Sequence, residues 1–136
     1  MMASIIRTWH LANGLTVEID DESANYYGDY YNVKLVVRCR IAVEAAYLKT
    51  LEKRASYRRV AKIMGSFVDY RREIGRAGVG GRDLPSVKGG LLRSFEENAL
   101  PYFSREDFAE KFVKKRYAEI EKDLSEKGRS RRGNGD

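Results

Sequence analysis

The chain contains one histidine, His10, and one cysteine, Cys39, so a thiol-based catalytic pair would have to consist of these two residues. A nucleophilic cysteine needs its base within hydrogen-bond distance. The strand alternation described below directs Cys39 into the core and His10 to the opposite face. A structural zinc site normally needs four Cys or His ligands, which the chain does not have. We therefore expect a buried structural cysteine, a surface histidine and no catalytic role for either.

Acidic side chains crowd the segment from residue 20 to residue 29, where Ser23 and Asn25 add further oxygen atoms. The carboxylates are those of Asp20, Asp21, Glu22 and Asp29. Oxygen ligands of this kind suit magnesium or calcium. However, the segment lacks the ligand spacing of an EF-hand loop and has no glycine at the central turn. We interpret it as a solvated acidic turn, and we predict no metal site and no cofactor.

The same connection carries four tyrosines within six residues, on both sides of Gly28 and Asp29. They are Tyr26, Tyr27, Tyr30 and Tyr31. Tyrosine offers a large contact area at a small cost in side-chain entropy, so it is common in binding surfaces. Strand alternation assigns Tyr31 to the core. The other three either fold down as a lid over the sheet edge or form a surface that binds a partner.

Basic side chains are concentrated in the middle of the chain. Residues 49–93 contain twelve Lys or Arg and four Asp or Glu, whereas residues 1–48 have a net charge of −2 and residues 94–136 are balanced. Guanidinium groups beside aromatic rings can bind phosphates and stack on bases. A nucleic-acid-binding surface on two basic helices is one interpretation, and an ordinary solvated helix face is the other. The candidate residues are Arg54, Arg58, Arg59, Lys62, Arg71, Arg72 and Arg76, to which the arginines of residues 129–132 would add.

Residues 75–81 contain four glycines, a composition that is also found in phosphate-binding loops. The segment fits neither G-x-G-x-x-G nor G-x-x-x-x-G-K-[ST], and no parallel strand and helix surround it. We therefore predict a flexible connector here.

The fold class follows from residues 31–43, which alternate apolar and mostly polar side chains. A period of two places the odd-numbered residues on one face of a strand and leaves the other face to solvent. The odd-numbered residues are Tyr31, Val33, Leu35, Val37, Cys39, Ile41 and Val43.

A hairpin precedes this strand, because residues 5–11 and 15–21 flank a turn that contains Asn13 and Gly14. A three-residue loop sets Trp9 opposite Val17 and collects the apolar side chains on one face, so we choose that register. Together with residues 31–43, the hairpin predicts a three-stranded antiparallel sheet.

From residue 44 onward the apolar spacing is helical. We predict a break near Ser56, a helix over 57–64 that ends at Gly65, a helix over 67–74 and a helix after Asp83. A last helix, capped by Ser104, runs to about Glu126. Residues 127–136 contain no apolar side chain and are predicted to be disordered. The result is one α+β domain over 1–126, with a sheet in 1–43 covered on one face by helices in 44–126.

Length and composition restrict the classes further. A chain of 136 residues is one domain by length, and no apolar run approaches the ~20 residues that span a bilayer. We recognise no signal peptide, and a single cysteine excludes an internal disulfide. We therefore expect a cytoplasmic protein with no membrane partner.

No group of residues has the spacing for acid–base or nucleophilic catalysis, so we expect a protein that is not an enzyme. The leading hypothesis is a binding or adaptor domain that engages a protein partner or a second copy of itself as a homo-oligomer. The alternative is a nucleic-acid-binding module that uses the basic residues named above. A small-ligand (nucleotide) sensor is a lesser alternative.

Overall fold

The computed structural model of the chain describes residues 4–133, with the side chains of residues 4–128. It confirms an α+β protein in which an antiparallel sheet packs against C-terminal helices, and the sheet has five strands rather than three. The strands are β1 (Ser4–His10), β2 (Thr16–Asp21), β3 (Ala24–Tyr27), β4 (Tyr30–Ala42) and β5 (Phe67–Gly80). The helices are α1 (Ala45–Leu48), α2 (Tyr57–Met64), α3 (Leu84–Asn98), α4 (Leu100–Phe103) and α5 (Phe108–Gly133).

The chain packs as two compact units. Unit 1 comprises residues 4–40 and 69–106, and unit 2 comprises residues 41–68 and 107–133. Unit 1 therefore contains β1, β2, β3, α3, α4 and most of β4 and β5. Unit 2 contains α1, α2 and α5.

The first hairpin has the predicted register. Trp9 pairs with Val17, and the Leu11 amide donates to the carbonyl oxygen of Leu15 at 2.8 Å. Gly14 adopts a φ of 89°, a left-handed conformation that glycine reaches without a steric penalty. The three-residue loop is thus confirmed.

Strands β2 and β3 pair with β4 in one register as far as Asn25, and the register shifts between Asn25 and Tyr27. Asp21 lies opposite Leu35, and Ala24 lies opposite Asn32. Between these pairs the Glu22 amide donates to the carbonyl oxygen of Lys34 at 2.8 Å, so β2 and β3 follow one another along the same edge of β4.

The predicted inward face of β4 is confirmed. Val33, Leu35, Val37, Cys39 and Ile41 are all buried, while Tyr31 and Val43 are half-buried. On the opposite face the charged side chains remain at least partly exposed. The alternation therefore positions both the core and the polar face of the sheet.

The prediction of a helix over 67–74 and a flexible connector over 75–81 is wrong, because β5 occupies residues 67–80 and pairs with β4. The assignment of all of residues 44–126 to helices is wrong for the same reason. The glycines have a structural role in this strand, since a Cβ at Gly75 would overlap the carbonyl oxygen of Val33. Gly75 thus permits a close approach of the β5 and β4 backbones.

Helix α3 begins directly after a 3₁₀ turn, Gly81–Asp83, and packs its aromatic side chain on the core of unit 1. The Phe95 ring lies 5.4 Å from Trp9 and 6.0 Å from Phe103, and Tyr70 meets Phe103 edge-on at 4.8 Å. These aromatic contacts hold α3 and α4 over the inward face of the sheet.

In unit 2, α2 has its predicted bounds and ends at Gly65, whose φ is 73°. Ser56 occupies the predicted N-cap position of α2 but makes no capping hydrogen bond with its side chain. Its hydroxyl instead donates to a carboxylate oxygen of Glu121 on α5 at 2.7 Å. Tyr57 stacks on Tyr117 with 6.4 Å between ring centroids.

Helix α5 continues through Gly133, past the end predicted near Glu126, and the disorder of residues 127–136 stays a prediction. Extending an existing helix needs no apolar face, because each added residue gains a backbone hydrogen bond without a new nucleation step. Residues 134–136 of the predicted tail lie outside the described residues.

Candidate partner-binding surface

His10 and Cys39 do not meet. Cys39 lies in register with Val17 and hence with Trp9, so its side chain is on the inward face, where it is 1% exposed. Burial raises the pKa of the Cys39 thiol to about 11, and the nearby negative charge of Asp69 adds to the effect. His10 is exposed on the other face and hydrogen-bonds to Thr16 Oγ1 at 3.2 Å.

The predicted solvated acidic turn is instead part of an ion-paired region. Asp20 is largely buried and accepts a hydrogen bond from Arg38 Nε at 2.7 Å. Asp21 lies 2.7 Å from Lys88 on α3. Burial alone would raise the pKa of Asp21, but hydrogen bonds from Lys88 and Ser23 outweigh it and hold the pKa below its usual value. Among the described residues no cluster of His, Cys, Asp and Glu could hold a metal ion.

The polar face of the sheet contains a cavity of about 610 Å³, next to Thr16, Glu18 and Asp69. Oppositely charged side chains neutralise one another across this face, so the cavity presents no concentrated field to a ligand. The pairs and their distances are Arg38–Asp20 at 2.7 Å, Lys34–Glu73 at 3.3 Å, Arg40–Asp69 at 3.1 Å and Arg71–Glu73 at 2.8 Å.

The seven basic candidates do not share a pair of helices. Arg58, Arg59 and Lys62 are exposed on α2, whereas the Arg54 guanidinium lies 2.8 Å from Glu121. The remaining three belong to strand β5, which corrects their placement on a helix. They are Arg71, Arg72 and Arg76. The side chains of residues 129–132 lie outside the described part of the chain.

The three tyrosines predicted as a lid or a partner surface are all solvent-exposed at the turn between β3 and β4. The exposed fractions are 56% for Tyr26, 74% for Tyr27 and 51% for Tyr30. The Tyr26 hydroxyl also reaches β5, where it would lie 3.6 Å from a Cβ at Gly78. The lid and the partner surface both stay predictions. We call Tyr26, Tyr27 and Tyr30 with the intervening Gly28 and Asp29 the tyrosine turn.

Hydrogen bonds fix the conformation of the tyrosine turn. The Asn25 side-chain amide donates to the carbonyl oxygens of Gly28 and Tyr30 at 2.7 and 3.1 Å. On the other side, the Gly81 amide donates to the carbonyl oxygen of Asp29 at 2.8 Å. The turn is thus joined to the end of β5 and to the start of α3.

A groove runs between β5 and α3 in unit 1. Two adjoining cavities of about 370 and 190 Å³ share Leu91 and Ser94 as lining residues. Arg76 lines the larger cavity, and Arg72 and Ile74 line the smaller one. The groove is lined on one side by β5, and among residues 4–133 the only strand paired with β5 is β4.

This groove was not predicted from the sequence, because the first half of β5 was assigned to a helix. A usable signal was present: Val68, Tyr70 and Ile74 recur at even positions, as an inward-facing strand requires. In the structure Val68 is buried, and Tyr70 and Ile74 are half-buried. The interrupting Arg72 weakened that pattern, although Arg72 and Arg76 together give the groove its charge.

Comparisons with known proteins do not assign a function. No protein-family model, no curated protein and no solved structure gives a significant match to this chain. Within residues 4–133, no helix has both the length and the apolar character that a membrane crossing requires.

Proposed function

We propose that the chain is a non-enzymatic binding domain that engages a protein partner, or a second copy of itself, through the tyrosine turn. The observation that carries this proposal is the exposure of Tyr26, Tyr27 and Tyr30, each by more than half, on one short turn. Exposed aromatic rings are costly in water and are enriched at the centres of protein interfaces, where they bury both apolar and polar surface.

The hydrogen bonds of the turn support the same function. Asn25 holds both Gly28 and Tyr30, and Gly81 holds Asp29, so the backbone that carries the rings is fixed before a partner arrives. A surface that is ordered in advance loses less conformational entropy on binding. Tyrosine itself adds few rotatable bonds to that cost.

The test uses a photo-reactive amino acid at position 27, with position 102 as the matched control. Tyr102 is 60% exposed on α4 and belongs to the same unit. We expect crosslinking to a defined protein, or to a second copy of the chain, at position 27 and not at position 102. The crosslinked partner is then purified and its affinity measured.

The triple variant Tyr26→Ser/Tyr27→Ser/Tyr30→Ser should bind that partner at least about tenfold more weakly, with an unchanged circular dichroism spectrum. The control variant Tyr102→Ser should bind it as the wild type does. Crosslinking that is equal at positions 27 and 102, or a triple variant with full affinity, would show that the turn is not a binding surface.

A nucleic-acid-binding module is the second candidate, and one observation favours it. Arg58, Arg59 and Lys62 are exposed on α2 and form no ion pair with any described side chain. Phosphate binding by such residues weakens steeply with added salt, because condensed counterions are released on association. A gel shift with mixed-sequence RNA and DNA at low salt tests this: binding should be lost in Arg58→Glu/Lys62→Glu and retained in the control Arg93→Glu.

A further inference from the structure

The groove between β5 and α3 has two properties that together indicate which kind of ligand would bind in it. The first is an open strand edge. Residues 72–76 of β5 line the groove over about 13 Å at the usual rise of a strand, and β4 is the only strand paired with β5 among residues 4–133. An unpaired edge presents backbone donors and acceptors to any extended chain that reaches it.

The second property is charge. Arg72 and Arg76 are exposed, line the groove on the α3 side of β5, and form no ion pair with any of the described side chains. Being four residues apart on one strand, they are spaced by about 13 Å. Ile74 lies midway between them, is half-buried, and lines the smaller cavity together with Leu91 and Phe95.

The order of Arg72, Ile74 and Arg76 along β5 predicts the sequence pattern of a peptide that would pair with this strand. A strand added beside β5 would place alternate side chains over the groove, directly opposite Arg72, Ile74 and Arg76. Opposite charges across such pairs are favourable, and like charges are unfavourable. The complementary pattern is therefore an acidic residue, any residue, an apolar residue, any residue and a second acidic residue.

We propose that the groove between β5 and α3 accepts an extended acidic segment of a partner protein as an additional strand, with the pattern acidic–x–apolar–x–acidic. Backbone hydrogen bonds to the β5 edge supply affinity, and the two arginines supply specificity, as in other complexes formed by strand addition. This inference rests on the proposed function in taking the partner to be a protein, and it adds the chemistry that the partner must have.

A second copy of this chain fits the groove less well. If two copies of β5 paired about a two-fold axis normal to the sheet, the faces of the two strands would be preserved. Both copies' Arg72 and Arg76 would then lie on the same side of the joined sheet. Four unpaired guanidinium groups would be brought together with no carboxylate among them, which is unfavourable. The charge of the groove thus favours a different, acidic chain.

The experiment measures fluorescence polarisation of the labelled peptide TETVTETT, in which two glutamates flank a valine at the proposed spacing. The matched peptide TKTVTKTT reverses the charges. A third peptide keeps every side chain of TETVTETT but is N-methylated at two adjacent residues, so at least one donor to a neighbouring strand is removed. We expect the wild type to bind TETVTETT at least about tenfold more tightly than either control peptide.

Charge reversal in the protein completes the test. Arg72→Glu/Arg76→Glu should lose TETVTETT and gain TKTVTKTT, whereas Arg93→Glu, an exposed arginine of α3 that does not line the groove, should behave as the wild type. The tyrosine-turn triple variant should bind TETVTETT with unchanged affinity.

Three outcomes would overturn the inference: no preference of the wild type for the acidic peptide, equal binding of the N-methylated peptide, or displacement of the peptide by single-stranded DNA. If TETVTETT does not bind but a partner still binds through the tyrosine turn, this inference alone would be overturned and the proposed function would stand. Peptide binding without any tyrosine-dependent partner would support it and remove the tyrosine turn from the proposed function.

Discussion

Arg38 and Asp20 form an ion pair across neighbouring strands, with 2.7 Å between Nε and Oδ2. The two side chains differ in environment: Arg38 is 46% exposed, whereas Asp20 is only 12% exposed. A carboxylate with so little access to water depends on its partner for solvation. The Arg38–Asp20 pair should therefore contribute more to the stability of the fold than the more exposed ion pairs on this face of the sheet.

Replacing Arg38 with methionine should lower the free energy of unfolding by about 1–3 kcal/mol, because it leaves the Asp20 carboxylate without its charged donor. Urea denaturation measures this. The matched control is Arg116→Met: Arg116 is also 46% exposed, but its partner Glu119 is 48% exposed. We expect the control to cost no more than about 0.5 kcal/mol. Equal losses in the two variants would show that the burial of Asp20 is unimportant.

Two glycines should respond to alanine in opposite directions. A Cβ at Gly75 would overlap the carbonyl oxygen of Val33, so Gly75→Ala should force β5 away from β4 and destabilise the protein by about 1–3 kcal/mol. A Cβ at Gly89, inside α3, meets nothing within 4 Å. Gly89→Ala should therefore stabilise the protein by about 0.5–1 kcal/mol. Thermal unfolding of both variants measures the two effects, and a neutral Gly75→Ala would contradict the close strand approach.

The parts of the fold that could be predicted from the sequence are those whose residue pattern is contained in one short stretch of the chain. The alternation of residues 31–43 is confirmed because one buried face selects a single register of a strand. The loop around Gly14 is confirmed because the apolar residues of both flanking strands agree on one pairing. In each case the information lies within about a dozen neighbouring residues.

Strand β5 was mispredicted because its stabilising partner is distant in sequence. Ser66 followed by Asp69 resembles a capping box, yet the carbonyl oxygen of Ser66 accepts the Val43 amide at 2.9 Å instead of starting a helix. Strand formation depends on cross-strand neighbours, which a local pattern does not contain. The groove between β5 and α3 could not be predicted without strand β5. The tyrosine turn was predicted because four tyrosines within six residues are unusual in themselves.

The pH dependence of stability tests whether the Cys39 thiol is buried in the core. The folded protein raises the pKa of the thiol from an ordinary 9.0 to about 11, so the folded state holds its proton more tightly than the unfolded chain does. The resulting stability is fully present below pH 9.0 and is lost as pH rises towards about 11.

The wild type should therefore lose about 2 kcal/mol relative to Cys39→Val between about pH 8 and pH 11. Urea denaturation under reducing conditions at a series of pH values gives this difference, and other titrating groups cancel because they are common to both proteins. A difference that stays constant over this range would mean that the thiolate is solvated in the folded state.

The conformation of the tyrosine turn should depend on Asn25. Asn25→Ala removes both side-chain hydrogen bonds, to the carbonyl oxygens of Gly28 and Tyr30, while the turn remains joined to Gly81 through Asp29. Because Asn25 is exposed, we expect a stability loss of less than about 1 kcal/mol. Backbone order parameters at Gly28 and Tyr30 should nevertheless fall from about 0.85 towards 0.6.

The control is Asn98→Ala, which removes a single hydrogen bond to Ser94 within α3 and should leave the order parameters of the turn unchanged. A partner identified at position 27 should bind Asn25→Ala more weakly, because the rings would have to be ordered on binding. If Asn25→Ala leaves the turn ordered, the Gly81–Asp29 hydrogen bond alone is sufficient, and Gly81 becomes the residue on which presentation of the tyrosines depends.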